Sequence, residues 1–333
     1  MELTTIWFVI IAALWVGYFV LEGFDFGVGM LLPVLGRTEP ERRAMIKTIG
    51  PVWDGNEVWL IVAGGAMFAS FPEWYATLFS GFYLPLFAIL LALILRGAAI
   101  EYRNKRSEPH WRARWDWAIA GSSFAAPVLW GVAFGNIVQG VPIDAAKEFT
   151  GTLLTLVNPF ALLAGLTMLL LFATHGAVFL ALKTDGVIRE RASRLAGYVG
   201  LAAAVAAVAF LGWTLVLRGN PAAAVTAAIA AAALVGGLAA NRVRREGWAF
   251  LGTAVTIGLA VVTLFVALFP NVMPSTTDPA FSLTVDNASS TEYTLTIMTV
   301  VAVVFTPLVL LYQGWTYWVF RKRVSAPPAA VEP

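Results

Sequence analysis

The amino-acid sequence predicts an all-α integral membrane protein with nine transmembrane helices, two four-helix bundles plus one peripheral helix, its N-terminus outside and its C-terminus cytoplasmic. Three observations carry this. Hydrophobic residues make up 59% of the chain and charged residues only 13%, against about 25% charged in a soluble domain, and the mean hydropathy is +0.78. The apolar runs exceed the ~18 residues that mark a membrane helix and lack the period-2 alternation of barrel strands. Basic residues recur in every second connection, as the positive-inside rule requires.

Taken in order, the spans are residues 5 to 35, 51 to 71, 73 to 100, 115 to 138, 156 to 182, 194 to 217, 221 to 241, 246 to 269 and 293 to 320. The first is followed by GRTEPERRAMIK and the third by EYRNKRSEPHWRARW. The fifth is followed by Lys183, Arg189, Arg191 and Arg194, the seventh by Arg242, Arg244 and Arg245, and the ninth by Arg321, Lys322 and Arg323. Of the 22 Lys and Arg residues only Lys147 and Arg218 fall on the other side, Arg96 lying within a span. The first span lacks a basic n-region and a small-x-small cleavage site, so it is read as retained. It is also overlong: about 31 residues at ~1.5 Å each make ~46 Å against a ~30 Å hydrocarbon core, so it tilts or protrudes. Residues 1 to 323 form one polytopic membrane domain, and the Pro-rich residues 324 to 333 read as a disordered cytoplasmic tail. Spans six to eight, rich in Ala and Gly, allow close helix approach and read as scaffold.

Several chemistries are excluded by what the chain lacks. There is no cysteine, which removes disulfides, thiolate metal sites, iron–sulfur clusters and covalent haem attachment. The two histidines are His110, in a charged loop, and His175, inside a span. Neither bis-histidine haem ligation nor a multi-histidine metal site follows from that pair, and His175 reads as bonded to a neighbouring helix. The net charge of +2 points to no nucleic-acid partner.

The chemistry the chain does carry is acidic. Glu22 and Asp25 lie three apart in VLEGFDFGVGMLL, and Asp54 and Glu57 repeat the spacing in GPVWDGNEVWLIVAGG. Spaced so, each pair shares a helix face, and a charge at bilayer depth costs about 3 kcal/mol or more. Two plainer readings stand beside a functional one: sliding the first helix outward leaves Glu22 and Asp25 at the interface, and Asp54, after Pro51, suits a helix N-terminus. In the functional reading both pairs meet at the cytoplasmic end of adjacent helices, where four carboxylates in a low dielectric retain at least one proton. Arg96, with Glu101 and Tyr102 beyond it, returns to that face either as part of a proton relay or as the counter-ion of a static salt bridge. Trp53 and Trp59 bracket the acidic pair, lining an apolar slot or simply packing. Trp111, Trp115, Trp117, Trp315, Tyr317 and Trp318 read as interfacial anchors.

These residues also support a resemblance. GFDFGVGMLLPVLGR, ERRAMIKTIGPVWDGNEVWLIVAGGAMFASFP, YATLFSGFY, WRARWDW, GVAFGNIVQGVP, LVNPFALLAG, FPNVMPS and LLYQGWTYW, in this order, resemble subunit II of the cytochrome bd quinol oxidases up to about Arg323. The resemblance implies one half of a heterodimeric terminal oxidase in the bacterial cytoplasmic (inner) membrane, oxidising quinol and reducing oxygen to water. It further implies that haems b and d belong to a partner subunit I. This chain would then support assembly and haem insertion, with no haem or metal ligands of its own. It also implies a structural quinone (ubiquinone or menaquinone) and, as further partners, a small single-span accessory subunit and lipid. Asp25 and Asp54 match acidic positions of a proposed proton route from the cytoplasm; Trp53, Trp59 and Arg96 match quinone or oxygen-path contacts. Glu101 matches a position that is acidic in the family, whereas the Glu57 and His175 positions are amides in some relatives. A pure scaffold and, more remotely, a stand-alone ion or solute carrier are the alternatives.

Overall fold

In a bilayer every backbone N–H and C=O must find its partner within the protein, which a helix achieves along its own length; the chain obeys this almost throughout. The computed structural model describes residues 2–325. It comprises α1 (Leu3–Leu35), α2 (Glu39–Ile49), α3 (Trp53–Ser70), α4 (Pro72–Gly81), α5 (Tyr83–Tyr102), α6 (Pro109–Gln139), α7 (Pro159–Lys183), α8 (Gly186–Arg218), α9 (Pro221–Arg242), α10 (Glu246–Leu268) and α11 (Glu292–Val319). Three short 3₁₀ turns and a two-stranded hairpin, β1 (Asn271–Met273) with β2 (Leu283–Thr284), complete the described residues. Among the described residues, eight helices are long and apolar enough to cross a membrane: α1 and α5 through α11. The second expected span, α3, is not among them, because its 18 residues carry Asp54, Asn56 and Glu57 in the first turns.

Two expectations need correction. The third span is not one helix: α4 and α5 meet at Phe82, whose φ of −104° and ψ of 20° leave the helical region. Pro85 causes the break, since it has no N–H to give the Gly81 carbonyl four residues back. The basic segment after α1 is not a plain loop either. Thr38 and Glu41 form a reciprocal capping box that starts α2, whose Ala44, Met45, Ile46 and Ile49 are buried. Of the tail expected to be disordered, residues 326–333 lie outside the described residues, while Val324 bridges Thr184.

α1, α6, α7 and α10 pack on one another at the centre, α3 and α5 flank them on one side and α8 and α9 on the other. α11 lies at the edge, touching α3 and α1. The central crossing is close because glycines meet there: a Cβ on Gly27 of α1 would stand 2.6 Å from the Cα of Gly176 on α7. The Ala-rich α8 and α9 pack less completely, leaving an apolar cavity of about 350 Å3 bounded by Phe134, Leu171, Phe210 and Ile257.

Ion pairs tie the basic segments together at one end of the array. Arg103, fully buried, grips Glu39 of α2 through Nη2 at 2.8 Å and Asp116 of α6 through Nε, and Arg42 reaches Asp116 at 3.0 Å. Arg191 of α8 holds Glu41 at 3.0 Å. Burial works against the Glu39 charge, but Arg103, Arg112 and Arg43 outweigh it and hold its pKa below the usual carboxylate range. A depressed carboxylate stabilises the fold fully above its unfolded value, about 4.3, and loses that contribution as pH falls through the folded value. Amide exchange in α2 is therefore expected to stay slow from neutral pH down to about 4.3 and to quicken below it, with α7 and α10 unaffected.

Candidate functional site

One face of α1 carries Tyr18, Glu22, Asp25 and Gly29 at four-, three- and four-residue steps, a helical stripe. Glu22 and Asp25 are both 0% exposed, so neither carboxyl is solvated at an interface as the plainer reading had it. They lie inside the protein, and their partners come from two other helices, α5 and α3. Arg96 of α5, 1% exposed, bonds through Nη2 to Glu22 and, at 2.9 Å, to Glu57 of α3. Its guanidinium carbon stands 4.5 Å over the Phe26 ring, where the π face favours the cation.

Asp25 is served by a different group. Asn56 of α3, fully buried, donates from Nδ2 to Asp25 Oδ2 at 2.6 Å and to the Leu21 carbonyl at 3.3 Å. Its Oδ1 accepts from the Tyr317 hydroxyl at 2.8 Å and from Gln313 Nε2 at 3.1 Å, both on α11. The Gln313 Oε1 in turn accepts from Trp59 Nε1 at 2.8 Å. Trp59 can lie there because Gly17 leaves the room: a Cβ at Gly17 would sit 2.3 Å from its ring. Among the described residues, Tyr18 OH, Glu22 Oε2, Asp25 Oδ1, Arg96 Nε and Arg96 Nη1 are buried with no hydrogen-bond partner.

Three carboxyls thus surround one guanidinium. Fully ionised they would carry two more negative charges than the one guanidinium compensates, a costly arrangement in a low dielectric.

The structure gathers Glu22, Asp25, Glu57 and Arg96 but not the other two acids. Asp54 is exposed in the first turn of α3, the helix N-terminal position favoured by the macrodipole, and Glu101 is exposed in the last turn of α5. The four-carboxylate convergence is therefore corrected to three. Trp53 is half-buried and faces Gly97, whose Cβ would meet its ring at 3.3 Å. Asn56, Gln313 and Tyr317 were missed as members of the cluster; Tyr317, read only as an interfacial anchor, bonds through its hydroxyl to Asn56. The signal was present for Asn56, a polar side chain between two acids in an apolar span.

His175 is fully buried and both ring nitrogens are taken: Nε2 lies 3.2 Å from the Val20 carbonyl and Nδ1 2.7 Å from the Thr253 hydroxyl. A carbonyl only accepts, so Nε2 bears the proton and Nδ1 accepts from Thr253. His110, expected in a loop, is exposed in the first turn of α6; the chain's histidines do not fit haem ligation, and no group of three or more His, Asp or Glu stands together as a metal site among the described residues.

Residues 3–320 match the family described as "Cytochrome bd terminal oxidase subunit II". The chain belongs to that family. Membership makes this subunit II chain part of a terminal oxidase complex. It is 41% identical to the cytochrome bd ubiquinol oxidase subunit 2 of Bacillus subtilis, with 97% of each chain covered. It is 36% identical to the cytochrome bd-I ubiquinol oxidase subunit 2 of Escherichia coli K12, covering 96% of this chain and 94% of the relative. A chain of a solved structure titled "The structure of bd oxidase from Geobacillus thermodenitrificans" has the same fold, with a TM-score of 0.79 over 97% of this chain and 100% of that chain at 19% identity.

Proposed function

We propose that this chain is the haem-free half of a quinol-oxidising terminal oxidase in a bacterial cytoplasmic (inner) membrane, partnered with a subunit I that holds haems b and d. Its near full-length similarity to curated ubiquinol oxidase subunits 2 supports the reading. Electrons do not cross this chain. It supports assembly and haem insertion in subunit I, with lipid and a small single-span accessory subunit as further partners. α3 makes the ninth crossing, giving the groups α1, α3, α5, α6 and α7 through α10, with α11 peripheral, the N-terminus outside and the C-terminus cytoplasmic. A quinone ring held on this chain would stack on the half-buried face of Trp53.

Protons for oxygen reduction enter from the cytoplasm at Asp54, on the surface, pass Glu57 and reach Asp25 and Glu22. Charge is separated because these protons come from inside while quinol protons leave outside. The observation that carries this route is the buried carboxyl cluster with free oxygens on both Glu22 and Asp25. A static scaffold is the second reading, favoured by the two ion pairs that Arg96 makes, to Glu22 and to Glu57.

Asp25→Asn, in the complex co-expressed with its haem-bearing subunit, separates the two. The route predicts normal haem content with oxygen uptake slowed by about a hundredfold, the scale of a lost proton-transfer group; the scaffold predicts a shortage of assembled, haem-loaded complex with normal turnover per haem. Asp54→Asn follows the same logic with a smaller effect, because water replaces an exposed carboxylate.

A further inference from the structure

We propose that Gln313 and Tyr317 of α11 are positioning residues for Asp25, which they govern through Asn56 by reserving Oδ1 of Asp25 as the oxygen that gains and loses the proton. The proposal rests on the proton route above and adds which atom it uses and what selects that atom.

An amide side chain can face a carboxyl in either of two ways, and here its orientation is fixed from both ends. The Leu21 carbonyl, 3.3 Å from Asn56 Nδ2, only accepts, so the nitrogen faces α1. The Tyr317 hydroxyl and the Gln313 amide nitrogen donate to Oδ1 from the other side. Gln313 cannot turn over without cost either, because its own Oε1 accepts from the Trp59 indole N–H, which only donates. Asn56 therefore presents N–H to Asp25 Oδ2 whether or not Asp25 is protonated.

The consequence is chemical. Oδ2 is always an acceptor, and a proton that forms an O–H bond does so on Oδ1, which has no protein partner, and breaks away from that same atom. No electrons move in the step. Were the amide reversed, a protonated Asp25 would donate to the Asn56 carbonyl and the proton would be held in a closed hydrogen bond. The lock prevents that trap. Glu22, three residues earlier on the same helix face, also has its second oxygen free, so both exchangeable oxygens lie along one stripe of α1.

The test uses the whole complex with its haem-bearing subunit, comparing wild type, Asp25→Asn, Tyr317→Phe, and Tyr317→Phe with Gln313→Leu. Infrared difference spectra report the C=O stretch of protonated carboxyls, and the band lost in Asp25→Asn is that of Asp25. The expected result is that this band moves to higher wavenumber in the double variant, where the carbonyl loses its Asn56 donor. Oxygen uptake should fall about fivefold, the scale of one hydrogen bond, with haem content unchanged. Tyr317→Phe, which deletes only a hydroxyl, shows the same displacement in part and serves if the double variant does not assemble. A band and turnover that stay put in the Tyr317 variants while Asp25→Asn is slow overturn the positioning role alone. Full turnover in Asp25→Asn overturns the proton route and this inference with it.

Discussion

Replacing Arg96 by Met is expected to remove the assembled complex from the membrane. The methionine keeps much of the stem volume over Phe26 but takes away the one cation that, among the described residues, bonds to Glu22 and Glu57. Orphaning one partner of a buried ion pair costs about 3–5 kcal/mol, a large part of the ~5–15 kcal/mol that holds a domain folded. The check is the yield of haem-loaded complex and its thermal midpoint in detergent. Combining Arg96→Met with Glu22→Gln separates charge from packing, since it deletes the fully buried carboxylate that the loss strands. If charge is the cause, the double variant recovers much of the yield. Recovery is incomplete, because Glu57 and Asp25 still face a site without its cation. Arg96→Lys should fall between, because an ammonium is a point charge and cannot repeat the planar donor set that serves two carboxylates on two helices.

The membrane helices were legible because the bilayer leaves so few alternatives: a long apolar run must be a helix. That argument gave α1 and α6 through α11, and it overreached at α4 and α5, where composition alone outweighed a proline whose effect is strictly local. α2 was missed for the opposite reason. It is charged enough to read as loop, although Thr38 and Glu41 spell the capping box that begins it.

The site shows a similar division. Glu22 and Asp25 stand out in any linear reading because carboxylates in an apolar span need a cause. Asp54 and Glu57 have the same spacing, yet α3 turns Glu57 inward and leaves Asp54 outside. That rotation depends on how Trp59 seats on Gly17 of α1, which is a tertiary fact. Gln313 and Tyr317, one turn apart on α11, come from more than 250 positions further along the chain to meet Asn56. No local pattern marks them, and the aromatic belt that Tyr317 resembled is a rule about depth, not about neighbours.

Gly27→Val should be the most damaging change that touches no charged group. A Cβ there would lie 2.1 Å from the Phe172 carbonyl oxygen and 2.6 Å from the Gly176 Cα, both backbone atoms of α7 that cannot swing aside as a side chain does. α1 and α7 must separate, and overpacking of this kind costs about 1–3 kcal/mol or more. Stability is only part of the effect. At ~100° per residue, Gly27 faces almost opposite to Asp25, so pushing α1 off α7 drives Asp25 towards α3 and compresses its 2.6 Å bond to Asn56. The variant should therefore melt at lower temperature and also show a displaced Asp25 carboxyl band, a pairing that damage confined to the α1–α7 contact would not produce. Gly197→Ala on α8 is the control: an added Cβ meets nothing within 4 Å, and alanine in a helix interior gains about 0.5–1 kcal/mol over glycine. Its melting point should hold or rise while the carboxyl band stays where it is. A Gly27→Val complex that melts early with an unmoved band would mean that α3 follows α1, and that the acid cluster travels as one rigid unit with Asn56.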